Sequence, residues 1–147
     1  MPTVWTIGYE KLLPAELAAE LKAAGVERVI DVRFRPQSRR PGMSKTRLSE
    51  LLRDHGITYE HRRELGTPQH IRPLFHQGKL QEARAAYTQH VKDNAPEALD
   101  ELAAEIANEA APNTALLCLE ADPAGCHRRI ITDELQARSA SLSVVDL

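Results

Sequence analysis

The sequence is poor in cysteine, in aromatic residues and in net charge, and each shortage excludes a class of protein. Cys118 and Cys126 are the only cysteines and form no C-x-x-C pair, so neither a disulfide framework nor a zinc site built from cysteine alone is predicted. Aromatic residues make up 4% of the chain, which weakens base stacking as a way to bind single-stranded nucleic acid. The net charge of -2 means that any basic binding surface must be local.

Long apolar runs are also absent. No run approaches the ~18 residues of a membrane helix, and the opening MPTVWTIGY lacks the basic and then apolar layout of a signal peptide. We therefore expect a cytoplasmic protein that does not enter membranes and whose thiols are reduced. The 147 residues, of which 42% are hydrophobic and 27% charged, predict one globular domain over residues 1–147.

The residues that are present alternate between two patterns. Short β-branched and apolar runs predict strands, while apolar residues three or four positions apart, followed by glycine, predict helices. Strands are predicted over 4–8, 28–32, 57–61, 114–120 and 142–147. Helices are predicted over 12–25, 45–56, 80–91, 96–110 and 126–139, with a long connection over 62–78. The alternation predicts a Rossmann-like, three-layer α/β fold: a mostly parallel β-sheet of about five strands with helices on both faces.

Two of these helices carry further signals. Ser44 directly precedes the second helix and is expected to cap it. The helix over 96–110 carries five carboxylates and no basic residue, which predicts a solvated face.

Ionisable and aromatic side chains follow four of the predicted strands. In open parallel sheets, ligands bind beyond the carboxyl ends of the strands, so these side chains predict a shared functional crevice. Loop polarity that serves only solvation would give the same pattern. The residues are Tyr9 after the first strand, Asp31 and Arg33 at the second, His61 at the third, and Glu120, Cys126, His127 and Arg128 at the fourth.

The loop after the second strand is the strongest electrostatic feature. Residues 33–47 hold five arginines and a lysine with no acid, so the rest of the chain carries a formal charge of -8. Such a loop suits phosphate or a nucleic-acid backbone, although a solvated loop paired with acidic neighbours is the alternative. The anion-binding candidates in this loop are Arg33, Ser38, Arg39, Arg40 and Lys45.

The segment LLCLEADPAGCHRRII, residues 116–131, joins the fourth strand to the last helix. If Asp122 caps that helix, Pro123 takes its first position and Cys126 falls near the first turn, where the helix dipole favours thiolate. The apolar face then directs His127 toward the sheet, with Arg128 at the rim and the next arginine in solvent. His127 is either catalytic or a buried imidazole bonded to a backbone carbonyl or to Glu120. Cys126 is either a nucleophile or a small core residue.

Spacing argues against three kinds of site. A cysteine-dependent phosphatase or sulfurtransferase needs a loop between thiolate and arginine, but Cys126 is followed at once by His127 and Arg128, and Cys118 lies within the apolar run. Adjacent ligands rarely reach one ion and no H-x-x-x-H pattern occurs, so no metal site is predicted. The G-x-G-x-x-G and Walker patterns are also missing, and the sequence requires no cofactor.

Four motifs appear together in order: TIGYE, DVRFRPQSRRPGMSK, GITYEHRRELGTP and CLEADPAGCHRR. In these motifs the chain resembles the domain-of-unknown-function 488 family of small prokaryotic proteins, over most of its length. It departs from the family at Met43, where phenylalanine is usual, and at Thr67, where a second glycine is usual. The resemblance implies a cytosolic α/β domain and no particular reaction. Its motif positions are Asp31, Arg33, Pro36, Ser38, Cys118, Glu120, Cys126, His127 and Arg128.

Three functions fit the sequence, and the third of them is an interaction protein whose charged groups only build a rigid network in the core. The first is an anion- or phosphate-binding enzyme acting on a nucleotide or nucleic acid at the C-terminal edge of the sheet. In it, arginines bind phosphate, His127 or His61 moves a proton, and Asp31 or Glu120 orients the imidazole. The second is a non-catalytic nucleic-acid-binding module that uses the basic loop of residues 33–47.

Overall fold

Five parallel strands form one sheet in the computed structural model, which describes residues 2–147. The strands are β1 (Thr3–Gly8), β2 (Arg28–Asp31), β3 (Thr58–His61), β4 (Thr114–Cys118) and β5 (Ser143–Asp146). Their spatial order is β3-β2-β4-β1-β5, and each pair of neighbours is parallel. The helices are α1 (Pro14–Ala23), α2 (Lys45–Asp54), α3 (Arg72–His76), α4 (Leu80–Asn94), α5 (Pro96–Ala107) and α6 (Arg128–Arg138).

Helices cover both faces of the sheet, which confirms the predicted three-layer α/β fold. Leu17 of α1 and Leu48 of α2 pack in one buried cluster with Val29 of the sheet. The other face holds a larger cluster, to which α3, α4, α5 and α6 contribute. All five residues of the central strand β4 are buried, because a strand covered on both sides excludes water from both rows of side chains.

The predicted strands and long helices are confirmed, but two predicted caps are wrong. Ser44 occupies the position before α2, yet its hydroxyl donates to the Ser38 carbonyl and accepts from the Ser38 N–H. Asp122 accepts a hydrogen bond from the Ala124 N–H at 2.9 Å and caps a separate 3₁₀ turn, Pro123–Gly125. The last helix begins only at Arg128, because Cys126 has an extended backbone that interrupts the helical path.

The long connection over residues 62–78 contains two short helical elements. A 3₁₀ turn spans Arg63–Leu65, and the five-residue helix α3 follows at Arg72. Within residues 2–147, no helix combines the length and apolarity needed to cross a membrane.

The sheet has a switch point between β2 and β4. These strands are neighbours, but the chain leaves β2 toward α2 on one face and leaves β4 toward α6 on the other. Connections that diverge in this way open a crevice at the carboxyl ends of the two strands. The fold therefore fixes the place where a ligand is expected.

Candidate functional site

A narrow cleft lies at this switch point; its cavity volume is about 40 Å³, or about 470 Å³ when the open solvent at its mouth is included. Its walls come from the loops after β1, β2 and β4 and from α3 and the loop before it. Cys118, Cys126 and His127 line its buried part, while the exposed side chains of Arg35 and Arg72 line its opening. Because the strands are all parallel, every predicted strand-end residue lies at this edge of the sheet, but only some of them line the cleft.

The two cysteines meet inside the cleft. Cys118 is the last residue of β4, Cys126 lies just before α6, and their sulfur atoms are in contact. Their Cα atoms are 7.6 Å apart, wider than the ~6.8 Å upper limit of ordinary disulfides. The predicted catalytic set lacks Cys118, because the predicted strand continues to Glu120 and places this cysteine inside it; the strand in fact ends at Cys118.

Arg128 is fully buried, so its predicted position at the rim is wrong. Its Nη1 donates to Cys118 Sγ at 2.9 Å and also to the Glu120 carbonyl, while Nη2 donates to the Ala121 carbonyl at 3.0 Å. Its Nε donates to the Thr6 hydroxyl at 3.2 Å. No carboxylate is among these partners, and burial lowers the pKa of this guanidinium. A cation held by neutral groups stabilises a thiolate at the adjacent sulfur.

The absence of a side chain at Gly8 makes room for this arrangement. A Cβ atom on Gly8 would lie 1.7 Å from the Glu120 carbonyl oxygen and 2.7 Å from Arg128 Nη1. The glycine at the end of β1 is therefore required by the close approach of the loop after β4. The same approach brings the Tyr9 N–H to the Cys118 carbonyl at 3.2 Å.

His127 is a neutral, buried imidazole. Its Nε2 lies 2.7 Å from the Val32 carbonyl oxygen, and the rings of Tyr87 and Phe75 pack against it with centroids 5.2 and 6.5 Å away. Burial lowers the pKa of His127 to about 4, so it carries no charge at neutral pH. Because Nε2–H donates to the carbonyl, the lone pair of Nδ1 faces Cys126 Sγ at 3.6 Å.

Asp31 forms hydrogen bonds with Arg33 and Tyr59 and none with His127. Arg33 Nε donates to Asp31 Oδ1 at 2.9 Å, its Nη2 donates to Oδ2 at 2.7 Å, and the Tyr59 hydroxyl donates to the same carboxylate. Arg33 Nη1 reaches the Tyr9 hydroxyl at 3.3 Å and the Met43 carbonyl at 2.7 Å. Asp31 therefore fixes the loop after β2, and most donors of Arg33 are bound to the protein itself.

His61 and Glu120 occupy different places. His61 Nε2 lies 2.6 Å from the Arg33 carbonyl oxygen, and the imidazole lies outside the cleft lining, where it supports the loop. Glu120 lines the cleft; its carboxylate lies within 4.8 Å of both cysteine sulfurs and 3.8 Å from His76 Nε2. Burial raises the pKa of Glu120. The Val32 carbonyl, and neither Asp31 nor Glu120, is the hydrogen-bond partner that orients His127.

The basic loop of residues 33–47 divides into bound and exposed cations. Arg40 donates to the carbonyls of Tyr9, Glu10 and Leu12, and its guanidinium also lies 6.0 Å from the Tyr9 ring centroid. Ser38 bonds to Ser44 and to the Arg40 N–H, so its polar groups serve the loop. Within residues 2–147, the loop cations that are exposed and make no ion pair are Arg35, Arg39, Lys45 and Arg47.

Several cleft residues were not predicted from the sequence, among them Arg35 of the basic loop and three residues in or just before α3. Arg72 and Phe75 belong to α3, and Thr67 lies in the loop before it. The Thr67 hydroxyl is buried and has no hydrogen-bond partner within residues 2–147. The signal that could have found these three is the length of the connection after β3, since long connections in compact domains are often functional.

Comparison with known proteins gives one family. Residues 14–135 match the family described as "Domain of unknown function DUF488", and the matched range holds every cleft residue named above except Tyr9. No curated protein and no solved structure matches the chain. Because the matched range covers well over half of the 147 residues, the chain belongs to the DUF488 family.

Proposed function

We propose that this chain is an enzyme that acts on a phosphate-bearing substrate, a nucleotide or nucleic acid, in the cleft between β2 and β4. One observation carries the proposal: exposed arginines at the opening lead to a buried end with two cysteines, a carboxylate and an imidazole. A site that only bound anions would have no need for reactive groups of this kind beneath its cations.

Arg35 and Arg72 are the proposed phosphate ligands. Both are exposed and line the cleft, and the positive charge of Arg72 opposes protonation of both Glu120 and His127. Guanidinium groups bind phosphate oxygens through paired, charge-assisted hydrogen bonds. The buried Thr67 hydroxyl, which lacks a partner within residues 2–147, supplies a further polar group for the same ligand.

Several residues that the sequence suggested as anion ligands are therefore not proposed as phosphate ligands here. Arg33, Arg40 and Arg128 already donate to protein groups, and Arg39 does not line the cleft. Tyr9 lines the cleft but is buried under the Arg33 guanidinium, 5.3 Å from its ring centroid. The catalytic set retains Glu120, Cys126 and His127 and gains Cys118, while Asp31 and His61 hold the loop after β2.

A nucleic-acid-binding module without catalysis is the second candidate. The observation in its favour is that Arg39, Lys45 and Arg47 are exposed and, within residues 2–147, make no ion pair. Such a surface would bind the phosphate backbone of any sequence. Both candidates include a cytosolic location, where the two thiols would remain reduced.

The experiment compares phosphate binding by the parent chain with that by Arg72→Gln and Arg35→Gln. The probes are inorganic phosphate, adenosine 5′-monophosphate and a short single-stranded oligonucleotide, titrated by calorimetry at low salt. Each substitution removes a charge-assisted hydrogen bond of about 1.5–3 kcal/mol, so affinity should fall by roughly tenfold to a hundredfold. Arg53→Gln, an exposed arginine on α2, is the matched control and should bind as the parent does.

Two results would contradict the cleft proposal. One is parent-like binding of all three probes by both cleft variants. The other is oligonucleotide binding that Arg39→Gln and Arg47→Gln weaken while Arg72→Gln does not, which would favour the second candidate. Failure of the parent chain to bind any probe at low salt would contradict both.

A further inference from the structure

We propose that Cys118, Glu120 and Cys126 together bind one Zn²⁺ ion at the buried end of the cleft. This inference goes beyond the proposed function, because binding of the ion requires no substrate and the phosphate ligands at the opening are other residues. Two thiolates and a carboxylate are among the groups that zinc prefers in proteins. All three residues line the cleft.

The ligand atoms converge as a shared ion requires. The two sulfur atoms and a carboxylate oxygen of Glu120 all lie within 4.8 Å of one another. With bonds of about 2.3 Å to sulfur and 2.0–2.2 Å to oxygen, a tetrahedral zinc ion holds its ligand atoms roughly 3.3–3.8 Å apart. The three ligand atoms are therefore close enough to share one ion.

The backbone spacing of the two cysteines favours an ion over a disulfide. Their Cα atoms are 7.6 Å apart, whereas ordinary disulfides draw the Cα atoms to within about 6.8 Å. A metal ion between two sulfurs bridges a wider pair, since each sulfur bonds to the ion rather than to the other sulfur. Cys118 ends a central strand and Cys126 precedes a helix, so this spacing is set by two fixed elements.

Donors from Arg128 support thiolates at both cysteines. The Arg128 guanidinium donates to Cys118 Sγ at 2.9 Å, and the backbone N–H of the same residue donates to Cys126 Sγ at 3.5 Å. Donors placed behind metal ligands fix their orientation and tune the ion. The charges also balance: two thiolates and the Glu120 carboxylate carry three negative charges, and the zinc ion with Arg128 carries three positive ones.

Zinc binding at this site exchanges protons and leaves every oxidation state unchanged. Two Zn–S bonds and one Zn–O bond form, the two S–H bonds break, and the thiol protons pass to the solvent. Three protein ligands leave a fourth position for water or substrate, an arrangement found in catalytic rather than structural zinc sites. Because the ligands line the cleft, that position is reached from the side of Arg35 and Arg72.

The test measures metal in the full chain, purified under reducing conditions without a histidine tag. Elemental analysis after dialysis should find about one zinc ion per chain. Replacing the zinc with Co²⁺ should produce a thiolate-to-cobalt charge-transfer band. Cys118→Ser and Cys126→Ser should lose both signals. Glu120→Gln should weaken zinc binding at least ~10-fold, because mutation of a residue that only hydrogen-bonds to a metal ligand already costs about that much affinity.

Glu20→Gln is the control, because Glu20 is an exposed carboxylate on α1 and outside the cleft. Circular dichroism checks that each variant folds; if the serine variants do not, Glu120→Gln and the cobalt spectrum of the parent still decide. Zinc retained by both serine variants would overturn the proposal. So would a reduced parent chain that binds neither ion at micromolar concentration, whether or not its cysteines then oxidise to a disulfide.

Discussion

The two buried arginines Arg33 and Arg128 are held in opposite ways. Arg33 forms a two-pronged ion pair with Asp31, so its charge is neutralised by a neighbour two residues away. Arg128 contacts carbonyl oxygens, a hydroxyl and the Cys118 sulfur. The carbonyls and the hydroxyl are uncharged, and the sulfur is uncharged as long as it is a protonated thiol. A buried cation without an anion is costly, so a thiolate at Cys118 is the compensation closest at hand.

Gly8 tests whether this arrangement depends on the close approach of two loops. Gly8→Ala places a methyl group against the Glu120 carbonyl and Arg128 Nη1, where no space exists. Overpacking typically costs 1–3 kcal/mol, and we expect at least about 3 kcal/mol here because the obstacle is backbone. Urea unfolding followed by circular dichroism measures the loss.

The matched control is Gly125→Ala, since an added Cβ at Gly125 meets no atom within 4 Å and its φ is not positive. That variant should stay within about 0.5 kcal/mol of the parent. An unfolding midpoint for Gly8→Ala equal to that of the parent would contradict the steric role of Gly8.

At the scale of elements, α5 is fastened to the sheet by one of its carboxylates. The expectation that all five form a solvated face is wrong for Glu105, which accepts from Arg28 Nη1 at 3.0 Å and from Arg62 Nη1 at 2.7 Å. Arg28 begins β2 and Arg62 follows β3, so one side chain joins a helix to two strands. A sequence of acids on a helix does not reveal this, because the partner cations lie far away along the chain.

This junction predicts a pH dependence of stability. The hydrogen bonds from Arg62, followed by those from Arg28, lower the pKa of Glu105 in the folded chain. The stabilisation is therefore fully present above the unfolded value of about 4.3 and is lost as the pH falls through the lower folded value. Glu105→Gln should cost about 1 kcal/mol or less at pH 7, since the carboxylate is 35% exposed and partly screened.

Urea midpoints of parent and Glu105→Gln, measured from pH 7 down to pH 3, check this prediction. The difference between the two chains should shrink as the pH falls and vanish once Glu105 is protonated. Glu101→Gln, exposed on the same helix, should show no such trend. A difference in stability that is constant over this pH range would mean that the loss in Glu105→Gln does not come from the carboxylate charge.

At the scale of the whole molecule, the sequence predicts where each strand and helix lies along the chain better than it predicts which strands lie side by side. Strand and helix positions follow from local periodicity, and the shared edge follows from parallel strands, so Asp31, Glu120 and His127 could be assigned to one edge. The strand order could not, because it depends on pairs such as Val29 with Ala115, which are distant along the chain. The partner of each arginine depends on that order.

The same limit explains the errors at Cys118 and Arg128. A helical wheel begun at Pro123 turns Arg128 toward the rim, whereas the extended Cys126 lets the helix start later and carries the guanidinium over the end of β1. Cys118 then meets an arginine ten residues away, a distance along the chain at which no short motif would pair them. The contacts within the candidate site depend on the strand order, so they can be identified only from the folded structure.

A chain of contacts through the buried Thr6 links both ends of the sequence to the cleft. The Thr6 hydroxyl, on β1, accepts from Arg128 Nε at 3.2 Å and donates to Asp146 of β5. Asp146 is thus the acid that supports the buried guanidinium, through one intervening hydroxyl. We expect Thr6→Val to cost about 1–3 kcal/mol, because it leaves Arg128 Nε unpaired, and Asp146→Asn to cost about 1 kcal/mol.

A double-mutant cycle measured by urea unfolding tests whether these residues act as a unit. If they do, the double variant should be more stable than the sum of the single losses predicts by at least ~0.5 kcal/mol, because Asp146 can no longer act through a hydroxyl that has been removed. Asp133→Asn, an exposed acid on α6, provides the control pair and should add to Thr6→Val within roughly 0.3–0.5 kcal/mol. Additive losses for Thr6 and Asp146 would mean that Arg128 keeps its charge without the acid on β5, which would leave the Cys118 sulfur as its main compensating group.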